Sequence, residues 1–454
     1  MVQIYRPNKV RARSNKAKQL TLQIDDLNHK GEGVGRADGK VVFVSGALPG
    51  ERVKVKPVEQ QKRFLRAELL SVNESSAERT QPFCQHYGQC GGCALQHMTI
   101  VAQREQKQKR LARLLQEQSL QPTEWQSVVA GEAQQYRRRA RISIWWGRGK
   151  RDFKIGFRQK QSKALVEIDS CPLLVESLET SFNLLRSLLV KLKRPKVFSH
   201  LEVCEANEGA IWILRNIDGV RDDDLALIRE FAETNALHLL FEDNEGLVTP
   251  VTANVPSVFH YSLDVGNKSL AIGFAPQHFI QVNADINQQM VEQALLWLAP
   301  QQNETIADFF CGVGNFSLAV AEIGAKVVGV EGVAEMTERA ITNAKALELA
   351  DSCQFVTFDL TKNLSDFAEQ YGPIDAVLMD PARAGAMDVA RQMDTLSPSR
   401  IVYVSCDPAT LVRDAAILHE QGYQIEKASV LDMFPHTSHL ESMLLFRKDG
   451  KRRA

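Results

Sequence analysis

No run of about 18 consecutive apolar residues occurs in the 454-residue sequence, which argues against a membrane-spanning helix. The first twenty residues hold six Lys/Arg, no acid and no apolar core, so they do not read as a secretory signal. Cysteine is scarce: eight in so long a chain cannot form a disulfide scaffold, and their clustering points to metal or thiol chemistry in the cytoplasm. Disorder is excluded by 44% hydrophobic and 24% charged residues. The length exceeds one ordinary core, so two or three domains are expected. Net charge is also missing, but only in the sum. Residues 1–163 hold 32 Lys/Arg against 14 Asp/Glu, and residues 164–454 hold 23 against 41. A basic front on an acidic body points to polyanion binding at the front; solvated basic faces are the plain alternative.

Residues 1–19 are basic and without apolar periodicity, as in an arm. Over 20–74 follow short β-type runs, TLQIDDL, KVVFVSG, ERVKVKPV and RFLRAELLSV. They are separated by the glycine-bearing turns Gly31-Glu32-Gly33-Val34-Gly35, Asp38-Gly39 and Pro49-Gly50. This spacing predicts a small β-barrel, OB-like or SH3-like, decorated by Lys54, Lys56, Lys62, Arg63 and Arg66. Residues 75–281 predict a separate α+β domain. It has a cysteine- and glycine-rich loop at 80–93, a basic helix at 94–118, β-like pieces after Pro122 and a helix over 173–192. From 282 to 454, the runs TIADFF, KVVGVE, CQFVTFD, AVLMDP and IVYVSC alternate with helical stretches, the pattern of a doubly wound parallel α/β sheet.

TIADFFCGVGNFSLAVAE reads as strand, glycine turn and helix. Gly312 and Gly314 allow close backbone approach to a ligand, but the third glycine of a dinucleotide fingerprint is absent, Ser317 standing in its place. Asp308, Glu331, Asp359 and Asp380 close four successive strands and line the ligand edge of the sheet. An acidic edge suits a cation, and S-adenosylmethionine, a sulfonium, fits better than a pyrophosphate cofactor; helix caps are the plain alternative for these acids.

The fifth run ends in Ser405-Cys406-Asp407-Pro408 ahead of a helix. A thiol at such a turn lies beside a helix N-terminus, where the macrodipole can lower its pKa. With a methyl donor the cysteine has a specific use. Carbon 5 of uracil is a weak nucleophile until a thiolate adds at carbon 6, and a base must then remove the carbon-5 proton. Glu441, in FPHTSHLESMLLF, is the candidate base.

Cys84, Cys90 and Cys93, with the distant Cys171-Pro172, supply four thiolates, enough for a tetrahedral zinc site or a cubane iron–sulfur cluster. Three local ligands and a remote Cys-Pro suit iron–sulfur better, and the spacing is not that of radical chemistry. Cys204, Cys311 and Cys353 read as packing residues, and His436 and His439 have no ligand pattern around them. Tyr136-Arg137-Arg138-Arg139 with Arg141, Trp145 and Trp146 combines cations with stacking surfaces of the kind that grip RNA around an extruded base.

The stretches FIQVNADIN, DFFCGVGNFSL, VVGVEGV, VLMDPARAG, VSCDPATLVRD and FPHTSHLESM together resemble the RNA uracil-5-methyltransferase family. The resemblance implies Cys406 as nucleophile and Glu441 as base. It implies cofactor contacts from Gln281, Phe310, Asn315, Glu331, Asp359 and Asp380, of which the first three rest on the family pattern alone. Ala382 stands where many relatives have a second proline, which leaves Asp380 in place. A four-iron cluster on Cys84, Cys90, Cys93 and Cys171 is likewise implied, with zinc the alternative. The front barrel resembles the TRAM domain. Barrel and cysteines together look like the branch that acts on 23S ribosomal RNA. The expectation is therefore a cytoplasmic, monomeric, S-adenosylmethionine-dependent enzyme that makes 5-methyluridine in 23S rRNA. Alternatives are the same chemistry on tRNA or another rRNA uridine, or a non-catalytic RNA-binding assembly factor.

Overall fold

A computed structural model describes residues 19–149 and 151–448. The expected basic arm lies outside them except for Gln19. The chain divides into two compact units, one running to Phe83 and including Ala94–Thr99, the other formed by Cys84–Cys93 and the chain from Ile100 onward.

The first unit holds a closed five-stranded barrel in the order Leu20–Leu27, Glu32–Ala37, Lys40–Ser45, Phe64–Glu74, Arg52–Gln60. Alternate residues point inward, as strand geometry requires, and Leu22, Ile24, Val42, Val44, Val53 and Val55 fill the interior. Four strands match the apolar runs; the fifth, Glu32–Ala37, lies where the sequence reads as a turn. Its glycines serve close approach instead of chain reversal. A Cβ on Gly35 would stand 2.3 Å from the Gln23 carbonyl oxygen and 2.4 Å from Leu22 Cδ1. Arg66, one of the basic residues expected to decorate the barrel, is engaged by Glu32 at 2.7 Å and lies over the rings of Phe43 and Phe64.

In the second unit a seven-stranded sheet has the order Val248–Pro250, His238–Glu242, Gly209–Asn216, Phe198–Ala206, Arg139–Trp146, Phe153–Arg158, Leu165–Glu167. The helix expected over 173–192 is broken into Glu176–Glu179 and Ser181–Lys191. A larger sheet follows. Its strands are, in chain order, Thr305–Phe309, Lys326–Glu331, Cys353–Thr357, Ala376–Met379, Arg400–Ser405, Tyr423–Leu431 and Glu441–Lys448. In space they run third, second, first, fourth, fifth, seventh, sixth, with the short strand Glu124–Trp125 beside the sixth. The first five are parallel, as their apolar runs predict; every residue of the fourth and fifth is buried, as in a sheet covered on both faces.

The seventh strand departs from the all-parallel expectation. It is antiparallel to both the fifth and the sixth, because the loop 432–440 is too short for a crossover helix. Packing also crosses the expected boundary at 281/282. Phe259, Tyr261 and Leu263 of the hairpin Phe259–Phe274 share a core with Met290, Ile306 and Leu318. Leu111 and Leu115 of the helix Ile100–Glu117 share one with Tyr403, Leu418 and Tyr423.

Gly35→Ala should destabilise the barrel by about 1–3 kcal/mol, since the added methyl overlaps backbone that cannot swing away. Chemical denaturation of the two proteins measures this, and unfolding midpoints that coincide would contradict it.

Candidate active site at the carboxyl edge of the sheet

Beyond the first strand the backbone turns through three left-handed residues, Phe310 at φ 64°, Gly312 at 58° and Gly314 at 98°. The curl aims the Gly312 N–H at Glu331, which accepts it at 3.1 Å on Oε2 and the Val333 N–H at 3.0 Å on Oε1. A carboxylate has about four acceptor sites, so Glu331 keeps capacity for a ribose while pinned at the end of the second strand. Ser317, in the place of the missing third glycine, donates its hydroxyl to Asp308 Oδ2 at 2.5 Å. Asp308 is buried within its strand, near enough to Asp380 and Glu331 for their charges to act on it. Burial pushes its pKa up to about 7 against the lowering pull of Ser317.

Asp359 stands two residues beyond the third strand, exposed, and accepts from the Thr361 hydroxyl at 2.7 Å and N–H at 3.1 Å. Those bonds hold its carboxyl below the usual range. Asn315 forms a reciprocal amide pair with Asn287, at 3.0 and 3.1 Å, and its Oδ1 also accepts from the Tyr261 hydroxyl at 2.9 Å. Asn287 and Tyr261 were not singled out from the sequence, since each reads as an ordinary position on an amphipathic element.

Asp380 follows the fourth strand directly and receives the Gln281 side-chain amide at 3.3 Å, which joins two positions 99 residues apart. Cys406 follows the fifth strand. The fifth and seventh strands pair Ser405 with Ser442, so the next pair in register is Cys406 and Glu441. Glu441 is buried, and burial together with the Asp380 charge holds its carboxyl well above the ordinary value. Asp380 is raised too, by burial, with the Gln281 amide acting against the shift.

The thiol departs from expectation. Burial pushes the Cys406 pKa up to about 11; Glu441 and Asp380 raise it further and Arg383 lowers it. The helix N-terminus gives no relief because Asp407 caps it, accepting from Ala409 N–H at 2.9 Å and Thr410 N–H at 3.4 Å. A carboxylate thus holds the donors that a thiolate would have used.

Burial raises Cys171, and Cys84 and Cys90 lie near enough to add to the effect. Burial also raises Cys90; the Gly92 N–H, 3.4 Å from its sulfur, opposes the shift and Cys84 adds to it. No three His, Cys, Asp or Glu side chains among the described residues converge tightly enough to ligate a single ion.

The arginine run divides by environment. Arg138 is buried, with its guanidinium 4.8 Å over the Tyr261 ring and its Nε donating to the Gln281 carbonyl at 2.7 Å. Arg139 pairs with Glu202 and donates to the Pro276 carbonyl at 2.8 Å. Tyr136 is buried with its hydroxyl on the Pro435 carbonyl at 3.2 Å. Arg141 and Trp145 are the exposed members. Three of the seven residues anticipated to grip RNA, Tyr136, Arg138 and Arg139, are thus tied into the protein's own scaffold.

A family model described as tRNA (Uracil-5-)-methyltransferase matches residues 251–449, and a TRAM domain model matches residues 13–70. Proteins named 23S rRNA (uracil(1939)-C(5))-methyltransferase RlmD from Shewanella halifaxensis and Shewanella piezotolerans are each 41% identical to this chain. The match covers 96% of it and 98% of each relative. The crystal structure of Pyrococcus abyssi tRNA (uracil-54, C5)-methyltransferase in complex with S-adenosyl-L-homocysteine shares the fold. Its TM-score is 0.72 at 23% identity, over 94% of this chain and 100% of that one.

In the ligand-free protein the Cys406 thiol should stay protonated at neutral pH. Its alkylation rate, followed by peptide mass mapping, should climb with pH towards an inflection near 11. An inflection below about 8.5 would show that burial and the acids around it do not raise the thiol.

Proposed function

The chain belongs to the RNA uracil-5-methyltransferase family and is an S-adenosylmethionine-dependent enzyme, and from that premise we propose that it methylates carbon 5 of a uridine in 23S rRNA through a covalent Cys406 adduct. The choice of 23S rRNA rests on the names of relatives that match nearly the whole chain. The observation that carries the mechanism is the facing of Cys406 and Glu441 across the fifth and seventh strands, with Asp380 near both.

S-adenosylmethionine, when bound, supplies a methyl group made electrophilic by a positive sulfur. Glu331, Asp359, Asn315, Phe310, Gln281 and Asp380 would hold it and the base along the sheet edge; the acids and the left-handed loop suit a cation with ribose hydroxyls. Cys406 loses its proton to solvent through its half-exposed side and its sulfur bonds to carbon 6. The ring double-bond electrons shift onto carbon 5 and the carbon-4 oxygen. Carbon 5 takes the methyl, and the pair of the broken carbon–sulfur bond stays with the donor's sulfur. Glu441 then removes the carbon-5 proton, the ring double bond re-forms, and the carbon 6–sulfur bond breaks to release the Cys406 thiolate. A carboxyl raised by burial is, once ionised, a stronger base than an ordinary carboxylate, which suits this step.

We further propose that Cys84, Cys90, Cys93 and Cys171 carry a four-iron cluster. The mutual influence of Cys84, Cys90 and Cys171 and the Gly92 N–H toward sulfur support a shared thiolate site. Such a cluster would tie the loop Cys84–Cys93 to Cys171. The working parts would then be the arm at 1–19, the barrel at 20–74, the cysteine-bearing portion at 75–281 and the methyltransferase portion at 282–454. We place the enzyme in the cytoplasm as a monomer; no helix among the described residues is long and apolar enough to cross a membrane.

Cys406→Ala should lower turnover by on the order of 10⁴-fold or more while S-adenosylmethionine still binds, measured by methyl transfer to rRNA and by calorimetry. Methylation at a normal rate would end the covalent mechanism, and transfer to tRNA but not rRNA would move the substrate. Iron and sulfide analysis of anaerobically purified protein should find both, with absorbance near 400 nm; stoichiometric zinc and a colourless protein would remove the cluster.

A further inference from the structure

Asp432 ends the sixth strand's run into the loop 432–440, and that loop leads directly to Glu441 at the start of the seventh strand. Asp432 is fully buried, yet it is ionically paired twice by one helix, Ile100–Glu117. Arg104 Nε donates to its Oδ2 at 2.9 Å, and Lys107 Nζ, itself buried, donates to its Oδ1 at 2.8 Å. The same ammonium reaches the Phe434 carbonyl at 3.0 Å. Gln103 accepts the His436 N–H at 2.9 Å and places its amide 3.1 Å from His436 Nδ1. Arg110 donates to the Ser438 carbonyl at 3.3 Å. Gln103, Arg104, Lys107 and Arg110 recur at helical spacing, so one face of one helix holds alternate residues of the loop from 432 to 438.

Stability is a poor account of this arrangement. A buried ion pair gains little over apolar residues of similar size, because desolvation consumes the Coulombic attraction. Its distinctive property is geometric: one carboxylate fixed from two directions, and one ammonium spanning a side chain and a backbone carbonyl, leave the loop a single position. His436 has a left-handed backbone at φ 65°, a conformation that the Gln103 contact on its N–H helps to hold.

We infer that the helix Ile100–Glu117 is the mould for the loop 432–440, with Lys107 and Asp432 as positioning residues that aim Glu441 at carbon 5. The inference rests on the proposed covalent mechanism and assigns this helix to its last step. Loosening the loop should slow removal of the carbon-5 proton and expulsion of the thiolate, and leave addition of Cys406 to carbon 6 intact.

The test uses the full-length protein with rRNA and S-adenosylmethionine in single-turnover quench experiments. The Lys107→Met/Asp432→Leu double variant removes both fully buried charges and leaves Arg104, which is partly exposed and still donates to the Gly131 carbonyl; Gln103→Leu leaves the ion pairs in place, and Lys107→Arg keeps the charge. Both the double variant and Gln103→Leu should form the covalent complex within about twofold of the wild-type rate. The double variant should release methylated RNA about tenfold more slowly or worse, so that the complex accumulates, with an unchanged KM for RNA. Gln103→Leu should show a smaller lag in the same step, and Lys107→Arg should recover most of the release rate. Release at the wild-type rate in the double variant and in Gln103→Leu would overturn the inference. So would a parallel fall in adduct formation and release, which is the mark of general loosening. RNA carrying 5-fluorouracil separates the two levels, because a base cannot remove fluorine as it removes a proton. If the wild type traps no adduct on it, the covalent mechanism fails and the inference with it. If the wild type traps and the variants release normally, only the inference fails.

Discussion

The constraint on which the rest of the structure depends is the antiparallel insertion of the strand Glu441–Lys448 between two neighbours that run the other way. A parallel sheet brings its strand ends, and the loops beyond them, to one edge, but its strands all begin at the opposite edge. Only a reversed strand can bring its first residue to the ligand edge. Glu441 is that residue, and the register of Ser405 with Ser442 sets it against Cys406. Two groups of complementary chemistry, 35 positions apart in the chain, thus face each other through backbone hydrogen bonds instead of through a flexible loop.

The electrostatics of the edge carry a tension that the proposed mechanism uses. Asp380 and Glu441 share a buried space, which raises both carboxyls; burial raises the Cys406 thiol too, and the two acids add to that shift. Raised carboxyls would gain most from a bound cation, and the same burial favours the protonated thiol. Bringing a sulfonium beside the carboxyls would reverse the balance, since a nearby positive charge favours every anionic form in the cluster. Asp407 adds to the restraint by occupying the helix N-terminus. On the proposed mechanism, the acids that would hold the methyl donor also help to keep the Cys406 thiol protonated before it binds.

Several residues changed meaning once their surroundings were known. Gly33 and Gly35 look like turn glycines, because both turns and close packing select a missing side chain; the tightness of a five-stranded barrel decides between them. Arg138 and Arg139 look like RNA ligands but are neutralised by a ring, a carboxylate and backbone carbonyls from distant segments. Ser317 looks like a defect in a glycine motif and is the partner of a buried aspartic acid. In each case the local pattern constrains the residue type and leaves the partner undetermined.

From the sequence alone came the alternation of apolar strands with helices, the barrel's apolar periodicity, the acids towards the strand ends, the Cys406 turn before a helix and the cysteine spacing, because each is a local property of a few neighbouring residues. The tertiary structure alone decided the reversed seventh strand, the meeting of Gln281 with Asp380, the Asn287–Asn315–Tyr261 contacts, the raised thiol and the ion pairs on Asp432. Those depend on burial and on contacts between segments tens to hundreds of residues apart, and a desolvation cost or a hydrogen-bond partner exists only once the chain has closed around the group.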